Sequence, residues 1–588
     1  MFLRKRALER IASEKMLYER QPGGDIPVCV VYPNRYPLAM ANLGFQAIYH
    51  IFESDSHVAA DRAFLPDADE LAAIRASHEQ MVSFERGKPL TDFEILAFSI
   101  SFETDYLNLL TILRLAGIPL RRTERVGRNY PLIVAGGSAV FLNPEPIADF
   151  VDLFLIGEGE EMAPEFIAAY RAERQSSTHD APFLDAMAPV AGAYRPDHFV
   201  PSYDDAGRLA GVRCVGPGAA KIERRLIRDL DRYPTASLIL TPESVFGDMY
   251  LVEASRGCQW GCRFCAAGFM YRPIRYRSPQ KLVAEATRGL AERNVIGLVG
   301  AEMASVPGVA TIAKAVADRG GRLSPSSLKA DCISPDLAQA LVRNGNRSVT
   351  IAPEAGSERM RKVINKNLTE AEILRAADLL VGEGVSNLKC YFMIGLPEER
   401  DEDVREIARL TGTLLARLRE GKKRVGHVTV SLNPFVPKPW TPFQWDPMEE
   451  NSSLKRKIAM LRAELGRLGG SLELDAESPR EAYFQTLISR GDRRVGGILE
   501  RLEAAGCAEP GSIWHELGKI RRAAAAASHL PNPDFYVTRP YAQDELLPWD
   551  FIDHHIDKWF LASERKKAHY EHQTKPCDVA RCTVCGAC

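Results

Sequence analysis

The stretch EASRGCQWGCRFCAAG, residues 253–268, sets Cys258, Cys262 and Cys265 at a C-x3-C-x2-C spacing in the loop that follows an apolar, strand-like run. Glycines flank the thiols at positions 257 and 261, and an aromatic, Phe264, precedes the third. Three thiolates on one short loop can hold three irons of a [4Fe-4S] cube and leave the fourth iron open to another ligand. Zinc is the competing metal, but a structural zinc wants four protein ligands, and no clear fourth stands nearby.

Outward from this loop, residues from about 250 to 443 alternate apolar runs (YLVEASRG, VIGLVGAE, SSLKAD, SVTIAPEAG, LKCYFMIGLP, HVTVSLNPFVP) with helical patterns such as SPQKLVAEATRGLAER and TEAEILRAADLLVGEG. Six βα units in succession predict a partial or open barrel of parallel strands with its site at the strands' C-terminal mouth. From about residue 26 to 170, short apolar runs (PVCVVYP, FEILAFSISF, YPLIVAGGSAV, DLFLIGEGEE) also alternate with amphipathic stretches, which predicts a doubly wound α/β sheet. Its ligand edge would be the loops at residues 32–38, 99–105, 136–138 and 157–160, where glycine either lets backbone approach a ligand or simply makes a tight turn. The whole chain therefore divides into an N-terminal α/β domain (1–170), a connecting region (171–247), the barrel (248–447), a mainly helical region (448–572) and a cysteine-rich tail (573–588).

The cysteine loop and the βα units after it resemble the radical S-adenosylmethionine (SAM) superfamily. That resemblance implies that Cys258, Cys262 and Cys265 ligate a [4Fe-4S] cluster whose open iron binds SAM, and that the bound SAM is cleaved reductively to a 5′-deoxyadenosyl radical that takes hydrogen from an unactivated C–H. It implies SAM contacts at Glu302 in GLVGAEM, at Glu354 and Ser357 in APEAGSERMRKVINK, and at Met393, Ile394 and Gly395 in YFMIGLPEE. Ser357 is equally suited to cap the next helix. The N-terminal segment resembles the cobalamin-binding fold often placed ahead of radical SAM domains, with Gly136, Gly137 and Glu158 matching its pattern. The loop YPNRYPLAMANLG lacks the histidine of the D-x-H-x-x-G motif, so any bound cobalamin would have no protein imidazole below cobalt. Phrases such as NLGFQAIYH, NPFVPKPWTPFQW, LPWDFID and CTVCGAC resemble a largely uncharacterised group of B12-binding-domain radical SAM proteins. With cobalamin, methyl transfer to the substrate radical is the implied outcome; without it, oxidation, cross-linking or rearrangement. A non-catalytic iron-sulfur redox sensor is the alternative of a different class.

The resemblance also implies anaerobic chemistry and a reducing partner such as flavodoxin or ferredoxin, while the substrate class stays open among RNA, protein, and a lipid or small molecule. The segment NPFVPKPWTPFQW could stack on bases or form an ordered lid whose prolines fix the strand exit. In the tail, Cys577, Cys582, Cys585 and Cys588 stand at C-x4-C-x2-C-x2-C, which suits a second [4Fe-4S] cluster, a structural zinc or a flexible thiol tail; His569 and His572 lie just upstream. The other five cysteines, Cys29, Cys214, Cys332, Cys390 and Cys507, are isolated and read as buried small apolar residues. With 75 basic and 77 acidic residues the formal charge is −2, which supplies no whole-protein field toward nucleic acid or anionic membranes. At 46% hydrophobic and 26% charged the chain is too apolar for disorder. It has no run of about 20 apolar residues and no secretory signal, so a cytoplasmic location is expected.

Overall fold

The computed structural model describes residues 2–21, 23–77, 79–174, 181–216, 220–326, 328–343, 347–420, 426–526 and 532–587. The N-terminal sheet contains β1 (Ile26–Tyr32), β2 (Val58–Phe64), β3 (Ile95–Ser99), β4 (Leu132–Gly136), β5 (Leu153–Leu155) and β6 (Ala193–Tyr194), in the spatial order β2-β1-β3-β4-β5-β6. All neighbours run parallel except β6, which closes the sheet antiparallel to β5. This order reverses direction between β1 and β3, so ligand space is expected outside their carboxyl ends. Strands buried on both faces need near-continuous apolar residues, and β1, β3 and β4 supply them.

Strand β2 was not legible in that pattern because its buried run VAADRAF carries Asp61 and Arg62. Both are fully buried and paired: Arg62 bonds Glu14 at 2.6 Å and Glu85 at 2.5 Å, and Asp61 pairs with Arg86 at 3.0 Å. Beyond the sheet, Gln46 ties the connecting region down. Its side-chain oxygen accepts from the backbone N–H groups of Leu238 and Ile239, and its amide donates to Met40 O.

The barrel is built from β7 (Met249–Glu253), β8 (Val295–Val299), β9 (Arg322–Pro325), β10 (Ser348–Glu354), β11 (Asn387–Ile394), β12 (His427–Pro434) and β13 (Leu472–Ala476), all paired in parallel. A single parallel bridge between Leu328 and Ile351 joins the β7-β8-β9 sheet to the β10-β13 sheet. No pairing between β13 and β7 closes the ring among the described residues, so the barrel is open. Two expectations are corrected here. The third strand is Arg322–Pro325 rather than SSLKAD, and a seventh parallel strand, β13, lies inside the segment read as helical. The run LELDA alternates in exposure because β13 is an edge strand with one wet face. Its flanks are helical as expected, at Asn451–Leu468, Pro479–Arg490, Val495–Ala504 and Pro510–Ala526. Among the described residues no helix is long and apolar enough to cross a membrane.

The rim segment 433–445 is an ordered plug rather than a stacking platform: Phe435, Trp440, Phe443 and Trp445 are all buried, and Lys438 pairs with Glu103. Near that pair, Asp105 starts the helix Asp105–Leu115 with one carboxylate oxygen bonded by Asn34 and Asn108 and the other buried without a partner. Burial pushes the Asp105 carboxyl up to about 7. The native protein thus holds a proton that the unfolded chain releases near pH 4, and stability from this group is lost as pH rises from about 4 to about 7. Asp105→Asn is expected to raise stability by up to about 4 kcal/mol at pH 8 and to change it little at pH 4. Urea denaturation of both proteins at the two pH values checks this; an equal effect at both would contradict it.

Candidate active site at the barrel mouth

The cysteine loop leaves the carboxyl end of β7. Gly257 adopts φ 90°, where a Cβ would stand 2.7 Å from Tyr271 O, so only glycine lets the loop turn this tightly beside its own return. Cys262 is buried, and Cys258 and Cys265 are half-buried. Burial pushes the Cys258 thiol up to about 12 and Cys262 up to about 11, with the neighbouring thiols adding to both. Three crowded thiols cannot all ionise without a compensating cation, and a coordinated metal supplies it. The backbone N–H of Trp260 near Cys258, and those of Ala267 and Gly268 near Cys265, ease ionisation of these two thiols. That donor set fits an iron-sulfur cluster held by Cys258, Cys262 and Cys265. Phe264, between the last two thiols, packs half-buried against the apolar cluster that includes Met360, Ile364 and Phe435.

The loop is anchored from behind by Arg263, which is fully buried. Its guanidinium donates to Glu564 at 3.1 Å, to Lys362 O and Val363 O at 3.0 and 2.7 Å, and to His572 O at 2.6 Å. Asn365, at φ 55°, donates to Gly261 O at 2.9 Å.

Glu354 stands at the end of β10, where the register slips between Ile351 and Glu354 and φ reaches 67°. This left-handed conformation in a non-glycine residue costs about 1 kcal/mol or more and is characteristic of functional positions. Its carboxylate pairs with Lys366 at 3.2 Å. Lys366 is buried next to Cys262 and Cys265; burial alone would favour its neutral form, but Glu354 and these thiols hold it charged. Lys366 was not singled out in the sequence, since nothing in its neighbourhood marks a lysine as buried. Glu302 accepts from the backbone N–H groups of Ala304, Ser305 and Lys329 at 2.7, 3.0 and 3.3 Å, leaving about one lone pair of the carboxylate unused by them. Ser357 caps the helix Glu358–Val363 by accepting from Met360 N–H and donates to Asp403, so its hydroxyl is committed within the fold. Ile394 is fully buried, Met393 half-buried, and Gly395 at φ 78° donates its N–H to Glu399.

A cavity of about 740 Å³ opens between the two domains. Its N-terminal wall includes Asn42, Ser101, Gly136, Gly137 and Ser138, and its barrel wall includes Ser255, Gly257, Tyr271 and Ala301. Gly137, at φ 108°, lies so close to Ile100 that a Cβ would stand 2.4 Å from its carbonyl oxygen. The size is within the upper range of ligand pockets. No histidine or cysteine is among the residues lining it. Glu158 also lines the cavity, but its carboxylate is saturated: Arg275 grips it at 2.7 and 2.8 Å, Arg256 at 3.2 Å, and Ile227 N–H donates at 2.8 Å. Burial would push Glu158 up, yet these arginines hold it below the usual carboxylate range. Glu158 therefore fastens the N-terminal domain to the barrel.

Cys577 binds back to the barrel loop, its N–H donating to Gln259 O at 2.8 Å. Cys582 is half-buried, and Cys585 is buried with its carbonyl accepting from Asp557 N–H. Cys588 lies outside the described residues. His569 pairs with Glu398 at 2.7 Å, and His572 is exposed. No three His, Cys, Asp or Glu side chains among the described residues converge on a single metal ion. A cube spaces its thiolates more widely than one ion does, so this bears on zinc rather than on iron-sulfur. A four-thiolate centre in the tail draws no support from the described residues. Of the isolated cysteines, Cys29, Cys390 and Cys507 are buried as expected, whereas Cys214 and Cys332 are half-buried.

Residues 44–196 match the family model described as radical SAM proteins, N-terminal, and residues 252–411 match that of the radical SAM superfamily. The uncharacterized protein MJ0966 of Methanocaldococcus jannaschii is 28% identical over 80% of this chain and 90% of its own. The anaerobic magnesium-protoporphyrin IX monomethyl ester cyclase of Cereibacter sphaeroides is 24% identical over 74% of this chain and 69% of its own. Among solved structures, the radical SAM methyltransferase TsrM from Kitasatospora setae superposes with a TM-score of 0.49 at 13% identity, over 82% of this chain and all of that one. The two family models follow each other in chain order, together span more than half the residues, and the second takes in the whole three-cysteine loop: the chain belongs to the radical SAM superfamily.

Proposed function

We propose that the protein is an enzyme that takes a hydrogen atom from a substrate in the interdomain cavity and, with a corrinoid sharing that cavity, transfers a methyl group to the resulting carbon. The observation that carries this reading is the cavity itself, whose barrel wall runs over β7, β8 and β9 and reaches Arg256 and Gly257 at the root of the loop bearing Cys258, and whose opposite wall includes the glycine-lined edge of the N-terminal sheet. When bound, the cluster and SAM supply an electron and a 5′-deoxyadenosyl radical; a corrinoid supplies the methyl group. Cys258, Cys262 and Cys265 would hold the cluster. Glu302 has one acceptor position left for the SAM ammonium, and the Lys366–Glu354 pair places a fixed positive charge beside Cys262 and Cys265. Met393, Ile394 and Gly395 would form the apolar end of the SAM site. Around the cavity, Asn42 is bonded by Phe45 N–H and donates to Ser101, and Ser138 donates to Ser101 O, so these groups have acceptor positions left to meet the edge of a large ring, and no histidine or cysteine there would ligate cobalt.

Reconstitution with hydroxocobalamin, followed by gel filtration and an absorbance spectrum, tests the corrinoid. The expected result is retained base-off corrinoid with no protein imidazole on cobalt. Passage of all corrinoid through the column would leave the cavity as a substrate chamber and move the chemistry away from methylation. We also propose a reducing protein such as flavodoxin or ferredoxin as electron donor, and a cytoplasmic location.

A further inference from the structure

The tail crosses the barrel mouth as a strap. Thr574 N–H donates to Asn365 Oδ1 at 2.7 Å, Asn367 Nδ2 donates to Thr574 O at 2.9 Å, and the Thr574 hydroxyl donates to Glu564 at 2.7 Å. Three residues on, Cys577 is fixed to Gln259, the neighbour of Cys258. From residue 571 to 580 every residue is exposed except Thr574 and Cys577, so these two side chains alone turn inward. The Cys577 backbone bond to Gln259 and its half-buried side chain set it beside the loop, and the Tyr276 hydroxyl, raised first by burial, is raised further by Cys258, Glu302, Cys332 and Cys577. Cys332 is engaged by the Ser305 hydroxyl at 3.4 Å. Cys577 is thus a thiol brought by the tail to a mouth that already holds the three loop thiols.

We propose that the Cys577 thiolate is the fourth protein ligand of the barrel-mouth cluster in the SAM-free enzyme and gives way when SAM binds. This rests on the cluster assignment above. A three-cysteine loop leaves one iron without a protein ligand, and a thiolate is the softest donor the chain can offer it. Release requires lifting the Cys577–Gln259 bond and the Thr574 contacts, and most of the neighbouring tail residues are exposed. In the exchange the Fe–S bond to Cys577 breaks, the SAM amino and carboxylate groups bind in its place, and the freed thiolate takes the proton that the SAM ammonium gives up. No electron changes hands.

The test is Mössbauer spectroscopy of full-length protein reconstituted anaerobically with 57Fe, in a Cys582→Ala background so that iron held further along the tail does not contribute. Without SAM, the protein retaining Cys577 should show four sulfur-ligated irons, and adding SAM should shift one of the four to the signature of nitrogen and oxygen ligation. Adding Cys577→Ala should shift that iron already without SAM. A distinct nitrogen- or oxygen-ligated iron in SAM-free protein that retains Cys577 would overturn the proposal, even if the Cys577 variant fails to fold. Absence of any cluster would instead overturn the assignment on which it rests.

Discussion

Cys262→Ala should retain little of the iron that wild-type protein takes up at the barrel mouth, lose the [4Fe-4S] absorbance and release no 5′-deoxyadenosine above background. Cys262 is the most buried of the three loop thiols, and its neighbours Lys366 and Cys265 are arranged around it. Only two loop thiolates remain, and once SAM displaces Cys577 the cube would keep only two protein-ligated irons of the three that its function needs. Iron analysis with the visible spectrum of anaerobically purified protein reads the effect. Full SAM cleavage by this variant would remove the radical SAM reading for this loop.

Arg263→Ala should destabilise the barrel by about 3–5 kcal/mol, the usual cost of leaving one partner of a buried ion pair uncompensated. Glu564, 2% exposed, would keep Lys567 and Thr574 but lose its guanidinium, and three carbonyls would lose their donor. Arg263→Lys should recover little of this, because one ammonium cannot serve the carboxylate and three carbonyls that the guanidinium fork reaches. Urea unfolding of the metal-free protein, followed by tryptophan fluorescence, measures the loss. Stability within about 0.5 kcal/mol of wild type would show that Arg263 does not anchor the loop.

The parts of this molecule legible in its sequence are those written locally. The C-x3-C-x2-C spacing, the βα alternation and the glycine-rich turns each depend on a few adjacent residues. Strand β2 escaped because Asp61 and Arg62 break its apolar pattern and find their partners at Glu14, Glu85 and Arg86. Strand β13 escaped because an edge strand with one wet face is hard to distinguish from polar connecting chain. At the site, Lys366, Tyr276 and the Arg263–Glu564 pair owe their roles to burial and to neighbours far along the chain. The same holds for Glu158, whose arginine partners come from the loop after β7 and the returning strand that follows it. Cys577 read as part of a tail motif; only the fold shows it beside Gln259.

The central claim is that the barrel-mouth loop holds a cluster that cleaves SAM. Its most direct test is to incubate anaerobic, cluster-loaded wild-type protein with SAM and a low-potential reductant and to quantify 5′-deoxyadenosine and methionine. The account predicts both products in equal amounts, dependent on reductant. SAM left intact by a protein whose [4Fe-4S] spectrum is present and reducible would contradict it.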